Sequence, residues 1–275
     1  MEAKKIIVSF IKWIKPIGWL LLLYLFLGWI FYANQETFIF RARIIKTDKK
    51  LAIQATHEEI TIPINQADTI HLVRFKTKNT PARGVVLYFH GNRENVEWYA
   101  TQTDLFTREG YEVLMMDYPG YGKSRGEKSE YKIYQWATWV YQLARKKYES
   151  KEIILYGKSL GTGVASYLAS KKDCKQLILE TPYTNFPAVF AYYVPIYPFK
   201  TLLHYQFPTQ QYLEQVEVPI RILHGTSDFV IAHQHSITLT KQKKGITLLL
   251  IKGGTHNNLY HFNIARRALK TWLSD

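Results

Sequence analysis

The sequence predicts an α/β fold, one mostly parallel sheet covered by helices on both faces, preceded by an apolar N-terminal helix. Three observations predict it. Short continuous apolar runs recur at 84–89, 113–116, 153–156, 177–179, 220–223 and 247–251, each the length of a strand buried on both faces. Amphipathic stretches at 96–108, 131–147, 161–170, 233–243 and 261–273 separate or follow them, and such alternation builds right-handed crossovers. Residues 17–33 carry no charge at all.

That first segment is long enough to span a bilayer, and it extends upstream through Ile6–Phe10 if Lys12 and Lys15 snorkel. Trp13, Trp19, Trp29 and Tyr32 cluster near its ends, as amphipathic rings do at headgroup level. A cleaved signal peptide fits less well. The only small residue at the exit is Ala33, and bulky Phe31 stands two positions before it where a cleavage site wants a second small residue. We therefore expect a membrane anchor over 1–35 and one globular domain over 36–275. Lys4, Lys5, Lys12 and Lys15 favour a cytoplasmic N-terminus, which puts the domain on the non-cytoplasmic side; Arg41, Arg43, Lys46, Lys49 and Lys50 weaken that asymmetry and suit anionic headgroups.

The chain has 275 residues, 47% apolar and 15% aromatic, enough for one sizeable core and far from the composition of disorder. No nucleic-acid-binding module accompanies the net charge of +14. The single cysteine, Cys174, has no partner for a disulfide and no neighbouring ligands for a metal, and reads as a small structural thiol.

Ahead of the buried runs, 58–75 alternates apolar and polar residues and predicts one or two antiparallel strands. A later segment, 183–216, breaks the rhythm with ten aromatic residues punctuated by Pro187, Pro195, Pro198 and Pro208. It reads as a cap insertion whose rings either line a pocket or merely cover the core.

The sharpest motif is Gly157-Lys158-Ser159-Leu160-Gly161, directly after one buried strand and before a helical stretch. A serine there sits on a tight strand-to-helix turn that only flanking glycines permit, with its hydroxyl pushed out near amides that favour negative charge. Serine needs a base and an acid behind that base. In this architecture the chain order is serine, acid, histidine. Asp228 follows one strand and His256 follows the last, so Ser159, Asp228 and His256 are the candidate nucleophile, acid and base. Glu180 is a rival acid, and His261 a rival histidine that more simply opens the last helix. His90-Gly91-Asn92 follows the first buried strand; the backbone amides of Asn92 and Leu160 are the candidate oxyanion hole, with His90 structural. The tract from Asp117 to Gly126 tempts one toward a phosphate loop, but that loop needs glycine where Asp117 stands, and the serine motif would need it at Glu152.

Taken together, H-G-N, D-Y-P-G-Y-G-K-S-x-G, G-K-S-L-G-T-G, H-G-x-x-D and the late G-x-H resemble the α/β-hydrolase superfamily from about Glu58 to the C-terminus. The chain is most similar to membrane-anchored alpha/beta hydrolase domain-containing serine hydrolases with one N-terminal helix. That group includes lipid esterases and protein depalmitoylases and is related to dienelactone hydrolases and to the prolyl oligopeptidase (peptidase S9) group. The resemblance implies an eight-stranded sheet and cofactor-free, metal-free hydrolysis of an acyl ester or thioester of a small molecule, lipid or acylated protein. A peptidase with the same triad and a non-catalytic binding module remain as alternatives. The chain departs from many relatives in carrying Arg93-Glu94-Asn95 after H-G-N, where they carry small residues.

Overall fold

The computed structural model describes residues 2–275, with side chains from Lys15 onward. Side-chain expectations for Lys4, Lys5, Lys12 and Trp13 lie outside the described residues.

The apolar start forms one continuous helix, α1 (Glu2–Ile39), with Pro16 inside it. It runs past the expected boundary at residue 35. Eight strands follow: β1 (His57–Pro63), β2 (Thr69–Phe75), β3 (Gly84–Phe89), β4 (Tyr111–Met116), β5 (Ile153–Lys158), β6 (Gln176–Glu180), β7 (Ile220–Gly225) and β8 (Ile246–Ile251). They make one sheet in the order β1-β2-β4-β3-β5-β6-β7-β8. The β1–β2 and β2–β4 pairs are antiparallel and every other pair is parallel. All six apolar runs are strands of this sheet, and 58–75 is its antiparallel hairpin.

The runs are continuous because alternate side chains enter two different cores. Val85, Leu87 and Phe89 of β3, with Ile153 and Leu155 of β5, pack on one face with Trp136 of α2 (Glu130–Arg145) and Val164 of α3 (Leu160–Ala169). Val86, Tyr88, Ile154 and Tyr156 point to the other face, where Phe106 and the C-terminal helix's Leu269 and Trp272 cover them. β3 and β5 are central, with Leu87 opposite both Leu114 and Leu155. The strand that presents Ser159 is therefore held on both edges and both faces.

The expected helix over 96–108 is broken into short turns, Val96–Tyr99 and Asp104–Thr107, joined by a 3₁₀ turn. At the second break Thr103 donates its hydroxyl to the Ala100 carbonyl at 2.7 Å. Within 183–216 lie three helices, α4 (Phe186–Tyr193), α5 (Phe199–Leu202) and α6 (Thr209–Glu214). Tyr183, Phe199, Tyr205 and Phe207 are buried, while Tyr192 and Tyr193 are exposed. The cap aromatics thus divide between covering the core and facing outward.

Candidate active site

Ser159 occupies the turn between β5 and α3 with φ 52° and ψ −120°, in the left-handed half of the map that residues other than glycine rarely adopt. The turn exists because two glycines leave room. A Cβ on Gly157 would stand 2.4 Å from the Gly161 carbonyl oxygen, and one on Gly161 only 2.0 Å from that of Phe89. Because the obstacle at Gly161 is backbone, Gly161→Ala should destabilise the fold by at least about 3 kcal/mol, the upper end of overpacking. The check is a shift of the urea midpoint at constant m-value; an unchanged midpoint would contradict this reading of the turn.

Asp228 and His256 lie on the loops after β7 and β8. Those loops are tied together, Ser227 donating its N–H to the Gly254 carbonyl at 2.9 Å. His256 Nδ1 lies 2.8 Å from Asp228 Oδ2. Asp228 is fixed in turn, its Oδ1 accepting the N–H groups of Val230 at 2.8 Å and Ile231 at 2.9 Å. Burial opposes ionisation of this carboxyl, but hydrogen bonds from His224 and His256 and from the Ile231 amide outweigh burial and hold it well below the usual carboxylate range. An ionised Asp228 accepts the Nδ1 proton, so the lone pair of neutral His256 is on Nε2.

Ser159, His256, Asn92 and Leu160 all line one cavity of about 550 Å³. Among the described residues no hydrogen bond joins the Ser159 hydroxyl to His256, a contact that commonly tightens only around substrate. Nor, among the described residues, does the backbone N–H of Asn92 or Leu160 donate to another protein group. The rival acid is engaged elsewhere. Glu180 is buried and takes hydrogen bonds from Lys158 and Tyr156, while its backbone carbonyl accepts the Ser159 N–H at 2.9 Å. His261 is exposed and ends a 3₁₀ turn ahead of the last helix.

His90 is fully buried, its Nδ1 2.7 Å from the Gly91 carbonyl, and burial pushes its pKa down, so it is neutral. The tract that mimics a phosphate loop supports the H-G-N loop from behind. Tyr118 donates to the His90 carbonyl at 2.7 Å and Tyr121 to the Asn92 carbonyl at 2.8 Å, while Asp117 Oδ1 accepts the Val96 N–H at 2.8 Å.

Arg93-Glu94, the departure from the family pattern, pairs as a short parallel ribbon with Arg41-Ala42, just after α1. Asn92 is pinned to the same segment, since its carbonyl accepts the Arg41 N–H at 2.9 Å and its Nδ2 donates to the Ile39 carbonyl at 2.9 Å. Phe38 and Ile39 of α1, together with Tyr99, belong to the cavity wall alongside Phe186, Phe190 and Tyr193 of the cap. Sequence reasoning missed Phe38, Ile39 and Tyr99. No motif marks them, and the pairing of residues 41–42 with 93–94 that brings α1 here is legible only in three dimensions.

A family described as serine aminopeptidase S33 matches residues 80–207, which takes in the Ser159 turn and most of the cap. The chain is 30% identical over 202 residues to alpha/beta hydrolase domain-containing protein 17C of Xenopus tropicalis, covering 70% of this chain and 62% of that protein. The human protein of the same name is 29% identical over 202 residues, covering 70% and 59%. The chain has the α/β-hydrolase fold and is similar in sequence to that superfamily. It spans about three fifths of the length of these curated relatives. Among solved structures, the α/β-hydrolase fold aligns with an esterase of Pyrococcus furiosus at TM-score 0.66 and 16% identity, covering 86% of this chain and 97% of the other. It aligns with a soluble variant of monoglyceride lipase from Saccharomyces cerevisiae at TM-score 0.61 and 17% identity, covering 83% and 98%. At these identities the likeness concerns the fold. The family match ends before the loops that carry Asp228 and His256.

Proposed function

We propose that the chain is a membrane-anchored serine hydrolase that cleaves carboxylic esters or thioesters of acyl lipids, acylated proteins or smaller acyl compounds. One observation carries the reading: a serine on a strained turn shares a cavity with a histidine whose Nδ1 is engaged by a buried, ionised aspartate. His256 Nε2 takes the Ser159 proton as Oγ attacks the acyl carbon. The oxyanion receives hydrogen bonds from the N–H groups of Asn92 and Leu160. His256 then gives its proton to the departing alkoxide or thiolate, leaving an acyl-enzyme. Water, deprotonated by the same imidazole, attacks it, releases the acid and restores the serine. The mainly apolar wall, with Phe186, Val189, Phe190 and Ile231, suits a hydrocarbon chain.

The anchor is α1. One helix among the described residues is long and apolar enough to cross a membrane, Lys15–Ile39, with mean hydropathy 1.8 and 6% of its most apolar window buried. The lysines ahead of it favour a non-cytoplasmic hydrolase domain.

A peptidase is the second reading, supported by the description of the matching family and by Glu94, a carboxylate on the cavity wall able to hold an N-terminal ammonium group. A substrate panel separates the two. Turnover of p-nitrophenyl acyl esters should exceed that of aminoacyl p-nitroanilides by about 10³-fold or more in kcat/KM; preference for the anilides would replace the esterase reading with the peptidase one.

A further inference from the structure

The N-terminal helix is bound to the cap along its C-terminal half, from Tyr24 to Glu36. Tyr24 stacks on Tyr197 with ring centroids 4.5 Å apart and planes 5° apart. Each hydroxyl of that pair donates to a backbone carbonyl across the contact, Tyr24 to Ile196 at 2.8 Å and Tyr197 to Tyr24 at 2.9 Å. One turn on, Gly28 lets the Tyr197 ring approach, since a Cβ there would stand 2.9 Å from it. Phe31 then meets Phe190 and Phe199 edge-on, both at 5.4 Å, and Gln35 accepts the His204 N–H at 2.7 Å.

Crossing a bilayer takes about 20 residues, and any such stretch placed within residues 6–33 includes Tyr24. The helix therefore cannot enter the membrane without carrying residues 192–197 to the same level. What the cap presents there is apolar. Tyr192, Tyr193, Val194 and Ile196 are 55%, 50%, 41% and 66% exposed, and Pro195 between them has no N–H. Part of the backbone there is satisfied internally: Val194 donates to the Phe190 carbonyl at 3.0 Å, and the Ile196 carbonyl is taken by Tyr24. The cavity reaches this same patch. Tyr193, Val194 and Val230 are in its wall, and beside them Phe229, 85% exposed, accepts the Tyr193 hydroxyl on its carbonyl at 2.8 Å.

We infer that residues 192–197, with Phe229, form a mouth embedded in the lipid leaflet and held at fixed depth by α1, through which an acyl chain passes from the leaflet to Ser159 without crossing water. The inference rests on the membrane-anchor reading and adds to it that the anchor sets the depth of the entrance and supplies part of the cavity wall.

Depth-dependent quenching tests it on the full chain in phosphatidylcholine vesicles. Environment-sensitive fluorophores are attached to Ile196→Cys, to Leu23→Cys on the helix and to Lys244→Cys, far along the chain in an exposed loop. The native Cys174 thiol is buried and its pKa pushed up to about 12 by that burial, so it stays unlabelled. The expected result is a blue shift and quenching by lipids with a nitroxide on the acyl chain at 196 and 23, and none at 244. Quenching at 23 with an aqueous, unquenched label at 196 would overturn the embedded mouth while leaving the anchor standing. An unquenched label at 23 would remove the anchor reading, and this inference with it. Ile196→Asp gives the functional arm: kcat/KM on a long-chain ester within vesicles should fall about tenfold, with turnover of a soluble acetyl ester changed less than about twofold. Equal effects on both substrates would overturn the entrance role.

Discussion

Replacing Ser159 with alanine should lower kcat for ester hydrolysis by about 10⁴-fold or more and leave the fold intact. The expectation separates chemistry from structure. The strain at Ser159 is in the backbone, at φ 52°, and alanine has the same Cβ, so the variant meets no clash that serine does not. The structural ties of the turn are made by main-chain atoms, with the Ser159 N–H on the Glu180 carbonyl and the Thr162 hydroxyl on the Ser159 carbonyl at 2.6 Å. What the variant loses is the oxygen that forms the acyl bond. Thermal unfolding at the wild-type temperature, alongside the loss of turnover, is the result to look for. Activity within about tenfold of wild type would remove Ser159 from the chemistry.

Asp228→Asn should cost nearly as much, about 10⁴-fold in kcat, through a proton on the wrong nitrogen. The asparagine oxygen can still accept the N–H groups of Val230 and Ile231, which now go to Oδ1. That leaves an NH₂ group facing His256 Nδ1, 2.8 Å away, where a carboxylate oxygen used to accept. The imidazole must turn its Nδ1 into an acceptor and carry its proton on Nε2, and it then has no lone pair for the serine. Stability should respond too, with a definite sign. The folded carboxyl lies below its ordinary value of 3.8, so its ionisation stabilises the fold above about pH 4, and the contribution fades as pH falls through the folded value. Denaturation of wild type and variant should therefore differ most near neutrality and converge in acid. A gap that is constant with pH would mean that Asp228 is not held ionised by its neighbours.

The sheet was legible because its strands are buried on both faces. A run such as Val85-Val86-Leu87-Tyr88-Phe89 has to be apolar at every position when odd and even residues enter different cores. The candidate residues were legible for a related reason. Ser159 directly follows a strand, and Asp228 and His256 lie in the loops just after two others, so a one-dimensional reading of strands locates the loops that converge there. Glu180 illustrates the limit. It stands at the C-terminal end of a strand, and only its contacts with Lys158 and Tyr156 show that its carboxylate is already engaged.

What stayed hidden was the relation between distant segments. An apolar helix was readable in residues 17–33, but its composition says nothing about what its flank touches. Phe38, Ile39 and Arg41 enter the cavity wall because Arg41-Ala42 pairs with Arg93-Glu94, a contact with no sequence signature. The residues that looked anomalous after His90-Gly91-Asn92 are the ones that dock this linker. Asn95, the third of them, caps the turn at Val96 and donates its amide to the Arg43 carbonyl at 3.1 Å. The departure from the family pattern thus falls on the segment that docks the linker after α1 beside Asn92.

Covalent labelling bears most directly on the central claim. Full-length protein treated with a fluorophosphonate and analysed by intact mass and peptide mapping should carry a single adduct on the peptide containing Ser159, abolished by Ser159→Ala and strongly slowed by Asp228→Asn. Folded protein that takes up no label, or that carries it on another residue, would contradict the account.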